Sequence, residues 1–176
     1  MPSYVAFLRA VNVGGRMVKM AGLRERLEQH GFTEVQTYIA SGNVKVTTRL
    51  RTTAAVEKRF EELLLEWLDF DVPTLVRTPA KLADVHATGA ELAAPLTGSP
   101  RHYVAFLRDE PAARAASALE AWDQPDERAV VVGREAHLWL ASDRPKLTNA
   151  RMEKILDTVG TARDWKTVTK LADLWT

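Results

Sequence analysis

The hexapeptide YVAFLR occurs twice in this chain, at residues 4–9 and again at residues 103–108. Its apolar, aromatic and β-branched content is typical of a buried strand. A separation of about a hundred residues indicates duplication of a whole folding unit, because solenoid repeats recur every 20–50 residues. The two copies continue differently: the first enters a loop with paired glycines, and the second enters Asp109, Glu110 and a proline. The repeat therefore predicts two similar units, of which one carries a special loop.

The elements between the repeats predict the same order in each half. In the first half, the periodicity predicts strands at 4–9, 35–40, 44–48 and 72–77, with helices at about 20–30 and from about 53. In the second half, it predicts strands at 103–108, 129–132, 136–141 and 161–163, with helices at 111–122, after Thr148 and at the C-terminus. We therefore predict an α/β (α+β) fold of duplicated ferredoxin-like β-α-β-β-α-β units, with mostly antiparallel sheets and an extra C-terminal helix.

Three domain segments follow from this order. Residues 1–78 form the first ferredoxin-like unit, residues 79–100 a helix and a linker, and residues 101–176 the second unit with the C-terminal helix. The stretch from Ala87 to Pro100 is rich in Ala, Gly, Pro, Thr and Ser, which is typical of a linker.

Composition excludes several classes of function. The chain has 176 residues, a net charge of +1 and no cysteine, which excludes disulfides, thiol catalysis and thiolate metal sites. The near-neutral charge disfavours bulk electrostatic binding of nucleic acid. The four histidines are dispersed in the sequence without metal-ligand spacing, so we expect no metal site and no cofactor. No apolar run approaches the length of a membrane span, and we expect a cytoplasmic protein.

The best candidate for a binding site is the loop after the first strand. The pair Gly14 and Gly15 permits positive φ and close approach of a ligand to the backbone. The loop precedes a helix whose N-terminus favours an anion. Donors of the kind that phosphate or carboxylate needs are supplied by Arg9, Asn12, Arg16 and Lys19. The spacing matches neither a phosphate-binding P-loop nor a dinucleotide fingerprint. The alternative interpretation is a glycine turn with solvated basic residues.

Weaker candidates lie elsewhere in the chain. They are Ser41 and Asn43 in the first hairpin, Lys146, Thr148 and Asn149 at a helix start, and Arg163 near the last helix. Hairpin geometry alone explains a Gly-Asn turn, and a capping role explains Thr148. We expect Asn12 and Asn43 to lie at opposite ends of the first sheet. The Lys146 loop is expected at the same type of end as the glycine pair, but in the other unit.

These stretches together resemble a known family. LRAVNVGG, SGN, KLTNARMEK and TARDWKTVTKL are similar to the bacterial domain-of-unknown-function family number 1697 over nearly the whole chain. The resemblance implies a duplicated ferredoxin-like architecture and brings no established activity, cofactor or catalytic residue. Asp164 stands where the family pattern has asparagine, and Arg16, Met17 and Val18 stand where it is richer in lysine and asparagine.

The leading hypothesis is a protein that binds a small anionic, phosphate-bearing ligand at the loop with paired glycines. The alternatives are a protein-interaction module without catalysis and, more weakly, salt-sensitive binding of nucleic acid. The sequence contains no nucleophile elbow and no evident catalytic histidine pair, so it leaves open whether a reaction is catalysed.

Overall fold

The computed structural model describes residues 1–92 and 95–176 and divides into two compact units. The first unit comprises Met1–Ala83 and Leu174–Thr176, and the second comprises Asp84–Asp173. Each unit contains a four-stranded antiparallel sheet built from the predicted β-α-β-β-α-β order. The predicted fold class, a duplicated ferredoxin-like unit with an additional C-terminal helix, is confirmed.

The first unit contains four strands and two complete helices between its ends. These elements are β1 (Ser3–Leu8), α1 (Met20–Gln29), β2 (Thr33–Tyr38), β3 (Asn43–Thr47), α2 (Thr53–Leu68) and β4 (Thr74–Arg77). The sheet has the order β2-β3-β1-β4, and all neighbouring strands are antiparallel. Since β1 and β2 are both antiparallel to β3, they run parallel to each other, and their C-terminal ends reach the same end of the sheet.

The core of the first unit follows from the helical periodicity. The Thr52 hydroxyl caps α2 by accepting a hydrogen bond from the Ala55 amide at 3.2 Å. The buried face of α2 carries Val56, Phe60, Leu63 and Leu64, whose spacing places them on one side of the helix. Phe60 meets the Phe32 ring edge to face at a centroid distance of 5.0 Å, an arrangement that aromatic pairs favour.

The second unit repeats the arrangement. Helix α3 (Pro79–Glu91) leads into it, and its elements are β5 (Arg101–Leu107), α4 (Ala113–Glu120), β6 (Glu127–Val132), β7 (Glu135–Leu140), α5 (Asn149–Leu156), β8 (Gly160–Asp164) and α6 (Trp165–Trp175). The sheet order is β6-β7-β5-β8, again antiparallel throughout. The YVAFLR copies therefore occupy equivalent central strands, β1 and β5.

Side-chain hydrogen bonds cap the starts of α5 and α6 in this unit. The Thr148 hydroxyl accepts a hydrogen bond from the Arg151 amide at 3.3 Å, and Leu147 and Met152 are both buried around it. Asp164 accepts hydrogen bonds from the Thr167 amide at 2.9 Å and hydroxyl at 2.8 Å, and so caps α6.

One prediction of secondary structure is wrong. We expected a linker from Ala87, but α3 continues to Glu91. Alanine and threonine in this stretch belong to the helix, and Gly89 is buried in it against the Trp165 ring, so the small residue serves packing and not flexibility. The predicted linker also includes residues 93 and 94, which lie outside the described residues.

Candidate functional site

Three segments of the first unit meet beyond the C-terminal end of β1. The Leu8 amide donates to the Gly42 carbonyl at 2.8 Å, and the Arg9 amide donates to the Pro73 carbonyl at 2.9 Å. The loop of residues 9–19, called the glycine loop below, therefore lies beside the β2–β3 turn of residues 39–42. The segment that enters β4 lies on the other side of β1 from this turn.

This arrangement corrects the expected positions of Asn12 and Asn43, which do not lie at opposite ends of the sheet. Asn43 pairs with Phe7 near the end of β1, where the glycine loop begins. The helical crossover makes β2 parallel to β1. The β2–β3 turn therefore lies at the end of the sheet where β1 ends.

The backbone of the glycine loop is held in an unusual conformation. Positive φ occurs at Ala10 (57°), Asn12 (58°), Gly14 (58°) and Gly15 (84°). Glycine adopts this region without steric penalty, and asparagine tolerates it better than other residues. Nothing lies within 4 Å of the position that a Cβ would take at Gly14 or Gly15, so both present open backbone at the surface.

Asn12 fixes the loop through its side chain. Its Oδ1 accepts a hydrogen bond from the Val18 amide at 2.7 Å, while its Nδ2 donates to the Val18 carbonyl at 3.1 Å. Nδ2 also donates to the Ala40 carbonyl at 2.5 Å, which ties the glycine loop to the 39–42 turn. Both donors of the amide are therefore used internally. Asn12 shapes the loop and offers no N–H to a ligand.

Two cations of the loop reach solvent. Lys19 is exposed at the N-cap position of α1, and no side chain caps that helix start. Arg16 is exposed and lies over the Phe70 ring at 5.2 Å from its centroid. Neither forms an ion pair within the described residues. Arg9 is half-buried, and its backbone amide is bonded to Pro73 as described above.

The hairpin candidates have structural roles. Asn43 is fully buried, and its Nδ2 donates to the Tyr38 carbonyl at 3.1 Å and to the Ser41 hydroxyl at 3.0 Å. A Cβ at Gly42 would lie 2.7 Å from the Val11 side chain, so only glycine fits there. This close approach seats the turn against the glycine loop.

The sequence of this region is shared with a family. A family model described as "Protein of unknown function (DUF1697)" matches residues 1–137, which include the whole glycine loop and the 39–42 turn. The chain belongs to this family. The predicted resemblance to this family is thus confirmed, and LRAVNVGG and SGN lie within the matched residues, whereas KLTNARMEK and TARDWKTVTKL lie beyond them.

A solved structure of another protein has a fold similar to that of this DUF1697 member. It is described as the structure of conserved bacterial protein SP0830 from Streptococcus pneumoniae, and it aligns with a TM-score of 0.76 at 20% sequence identity. The alignment covers 99% of this chain and 98% of that chain. Among curated protein sequences, none is significantly similar to this chain.

The candidates of the second unit lie C-terminal to the family match, and their placement corrects a second expectation. Lys146 follows β7, whose last residue Leu140 pairs with Arg101 at the start of β5. The Lys146 loop therefore lies at the N-terminal end of the central strand, whereas the glycine loop lies at the C-terminal end. Lys146 Nζ donates to Gln124 Oε1 at 2.7 Å. The third strand of such a unit is antiparallel to the first, so the loop after the third strand lies at the N-terminal end of the first strand.

Arg163 is also a structural residue of this DUF1697 member. It is buried, and its Nη1 donates to the Thr161 hydroxyl and to the Ala162 carbonyl, both at 2.9 Å. Burial lowers the pKa of the guanidinium to about 10, partly offset by the nearby Asp164 carboxylate. Arg163 pairs with Val104 in β8, as the buried Arg77 pairs with Val5 in β4. The duplicated fold thus uses one buried arginine at the same place in each unit.

Sequence reasoning missed a histidine–tryptophan cluster in the second unit. His102 stacks on Trp139 at 4.7 Å and on Trp165 at 4.6 Å between ring centroids, and His86 stacks on Trp165 at 5.1 Å. His102 Nε2 and His137 Nδ1 share a hydrogen bond of 3.1 Å. The alternation of β5 and β7 places residues 102, 137 and 139 on one face, and that signal was sufficient to find the group.

Two histidines of the cluster, His102 and His137, have lowered pKa values. Burial lowers the pKa of His137 to about 4, and burial together with the neighbouring His137 ring lowers the pKa of His102 to about 4. In the described part of the chain, no three histidine, cysteine or acidic side chains are grouped so that they could hold a metal ion. No described helix is long and apolar enough to cross a membrane.

Proposed function

We propose that the glycine loop binds a small anionic ligand that carries a phosphate group. The observation that supports this most directly is the exposed, positive-φ pair Gly14–Gly15 beside two cations that have no carboxylate partner within the described residues. Open backbone and unpaired positive charge at a helix start are the elements that phosphate oxygens need.

Each residue has a distinct part in this proposal. The backbone amides at Gly14 and Gly15 donate to phosphate oxygens, and Lys19 adds charge at the positive end of the α1 dipole. Arg16 stays above Phe70 and can turn its guanidinium to the ligand without losing the ring contact. Arg9 adds positive charge at the base of the loop.

Asn12, Ser41 and Asn43 support the site in this proposal and do not touch the ligand. Asn12 holds the loop shape in advance, which reduces the conformational entropy lost on binding. The proposed site consists of residues of the first unit alone, so Lys146, Thr148, Asn149 and Arg163 are not part of it. The proposal concerns binding and leaves open whether a reaction follows.

Calorimetry with a panel of nucleotides and sugar phosphates tests the proposal. At least one compound should bind, and Lys19→Ala should weaken it about tenfold, as expected for the loss of one charge-assisted hydrogen bond. Lys58→Ala is the matched control. Lys58 is also exposed, but it lies on α2, where its ammonium is 4.0 Å from the Glu62 carboxylate. No binding across the panel, or equal weakening by both variants, would refute the proposal.

A second candidate function is protein docking at the same place. Three apolar side chains of the two tied segments are unusually exposed: Val13 at 58%, Met17 at 73% and Ile39 at 50%. Met17→Ser discriminates the two functions. It should leave phosphate binding unchanged, whereas it should weaken a protein partner that docks on these side chains.

A further inference from the structure

Each four-stranded sheet has two edge strands, and the outward backbone amides of these strands have different partners. The edges are β2 and β4 in the first unit and β6 and β8 in the second. In β4, the Thr74 amide donates to Glu61 Oε1 at 2.9 Å. The next outward amide, that of Val76, donates to Glu57 Oε1 at 2.9 Å. Two glutamates of α2 therefore occupy the amides that an added strand would need.

The edges of the second unit are protected in the same way. In β8, the Gly160 amide donates to Glu153 Oε1 of α5 at 2.9 Å. In β6, the Val131 amide donates to Glu120 Oε1 of α4 at 2.8 Å. Unpaired amides at a sheet edge favour pairing with another chain, and a carboxylate that already accepts from them opposes that pairing. Among the strands that the structure describes, three of the four edges carry this protection.

The register of the two sheets identifies the equivalent amide in β2. Through β7, Val131 is aligned with Ala105, the third residue of the second YVAFLR copy. Through β3, Thr37 is aligned with Ala6, the third residue of the first copy. Successive residues of an antiparallel strand direct their backbone groups to alternate sides. The N–H and C=O of Thr37 therefore point out of the sheet, as those of Val131 do.

The outward amide of Thr37 has no carboxylate partner within the described residues. Helix α1 instead supplies Arg24, whose Nη1 donates to Thr37 Oγ1 at 2.7 Å. Arg24 is half-buried and forms no ion pair in the described part of the chain, so its other N–H groups have no partner there. The β2 edge thus presents a backbone donor, a backbone acceptor and a guanidinium next to one another.

We propose that the β2 edge binds an extended acidic peptide segment of a partner protein, which adds to the first sheet as a further strand. One peptide residue exchanges two backbone hydrogen bonds with Thr37. Side chains of directly opposed residues lie on the same face of a sheet, so the side chain of that peptide residue points toward Arg24. An aspartate or glutamate there forms a charge-assisted hydrogen bond with the guanidinium. The β2 edge and the glycine loop are separate, so either proposal can fail without the other.

Selection of peptides from a phage-displayed library of random eight-residue sequences tests the proposal on the full chain. The enriched peptides should share an aspartate or a glutamate. One of them, made synthetically, should produce saturable chemical shifts at the amides of Gln36, Thr37 and Tyr38 in the labelled protein. The amide of Val131, which is already bonded to Glu120, should not move.

Three variants separate the edge from general charge effects. Arg24→Glu removes the guanidinium and places a carboxylate beside the Thr37 amide, so it should weaken the selected peptide about tenfold or more. Arg51→Glu is the matched control, because it makes the same charge change at an exposed arginine of the first unit. It should leave the affinity within about twofold, since exposed charges interact weakly with distant ones. Thr37→Pro removes only an outward N–H from the backbone, which edge strands tolerate, and should also weaken the peptide.

Four results overturn the proposal: no enriched peptide, enriched peptides without an acidic residue, an unshifted Thr37 amide, or equal weakening by Arg24→Glu and Arg51→Glu. A fifth is a shift of the Thr37 amide with protein concentration in the absence of peptide, because the edge then pairs with a second copy of this chain. Well-dispersed amide spectra of the variants establish that they are folded. If Thr37→Pro does not fold, the comparison of the two arginine variants decides.

Discussion

Asn12 donates a hydrogen bond of 2.5 Å to the backbone carbonyl of Ala40, across 28 residues of sequence. This bond joins the glycine loop to the 39–42 turn, and the two bonds between Asn12 and Val18 close the loop itself. Asn12 also has a positive φ of 58°, a value that asparagine tolerates better than most residues. Its backbone and its side-chain hydrogen bonds therefore both favour the same loop conformation.

Replacing Asn12 should loosen the loop and lower stability. Asn12→Gly keeps the left-handed backbone accessible and removes the three hydrogen bonds, so we expect the free energy of unfolding to fall by about 2 kcal/mol. Asn12→Ala should lose about 1 kcal/mol more, because alanine disfavours positive φ. Urea denaturation measures both. An unchanged midpoint for Asn12→Gly would show that these bonds do not stabilise the loop.

The two repeated tyrosines should respond differently to removal of the hydroxyl. Tyr4→Phe breaks the bond to Leu50 and should lower the free energy of unfolding by about 1 kcal/mol. Tyr103→Phe breaks no internal hydrogen bond and should stay within about 0.5 kcal/mol of the parent protein. Calorimetric Tm values of the pair measure this difference. Equal losses would contradict the asymmetry between the two copies.

The histidine cluster should make stability depend on pH. Since the pKa values of His102 and His137 are lowered from 6.5 to about 4, the unfolded chain binds more protons between these limits. Stability is therefore fully present above about pH 6.5 and falls as the pH drops toward 4. His102→Phe keeps an aromatic ring between Trp139 and Trp165 but cannot bind a proton, so it should flatten this slope.

His30→Gln is the control for that experiment, because His30 lies on the first unit and bonds to the Arg26 carbonyl through Nδ1. The comparison shows whether the pH dependence comes from the cluster or follows from removing any histidine. If Tm measured over this range falls as steeply in His102→Phe as in the parent protein, the cluster is not the source of the pH dependence.

Packing around Gly89 should tolerate no side chain. A Cβ at this position would lie 2.5 Å from the Trp165 ring and 2.9 Å from His137 Cε1. We expect Gly89→Ala to destabilise by about 1–3 kcal/mol despite the better helix propensity of alanine. Gly22→Ala is the comparison within another helix, where the nearest atom belongs to the half-buried Trp67 at 3.2 Å and can shift. Thermal denaturation that ranks Gly22→Ala as the more harmful change would contradict this packing.

Local signals in the sequence were sufficient for the elements and for their order. The repeat, the Thr148 cap and the stripe on α2 each depend on residues close in sequence, and the structure places them as predicted. Helix α3 was predicted too short because Ala, Thr and Gly were interpreted as linker composition, whereas Gly89 packs against Trp165.

Relations between distant residues were harder to predict. The approach of Asn12 to the 39–42 turn follows from the strand directions alone. The expectation that Asn12 and Asn43 lie at opposite ends of the sheet was wrong because it assigned those directions incorrectly. The small apolar cleft beside Tyr103 depends on the path of residues 141–147, which no spacing in the sequence specifies. Alternation along β5 and β7 places His102, His137 and Trp139 on one face, but His86 and Trp165 joined this cluster only through the packing of helices α3 and α6.

If the glycine loop binds anions, titration with inorganic phosphate and pyrophosphate should shift the amide resonances of the loop. We expect saturable shifts at the amides of Gly14, Gly15 and Lys19, larger affinity for pyrophosphate, and severalfold weaker binding in Lys19→Ala but not in Lys58→Ala. Anion binding at the loop is ruled out if these amides do not move, or if shifts of the same size appear at surface lysines throughout the chain.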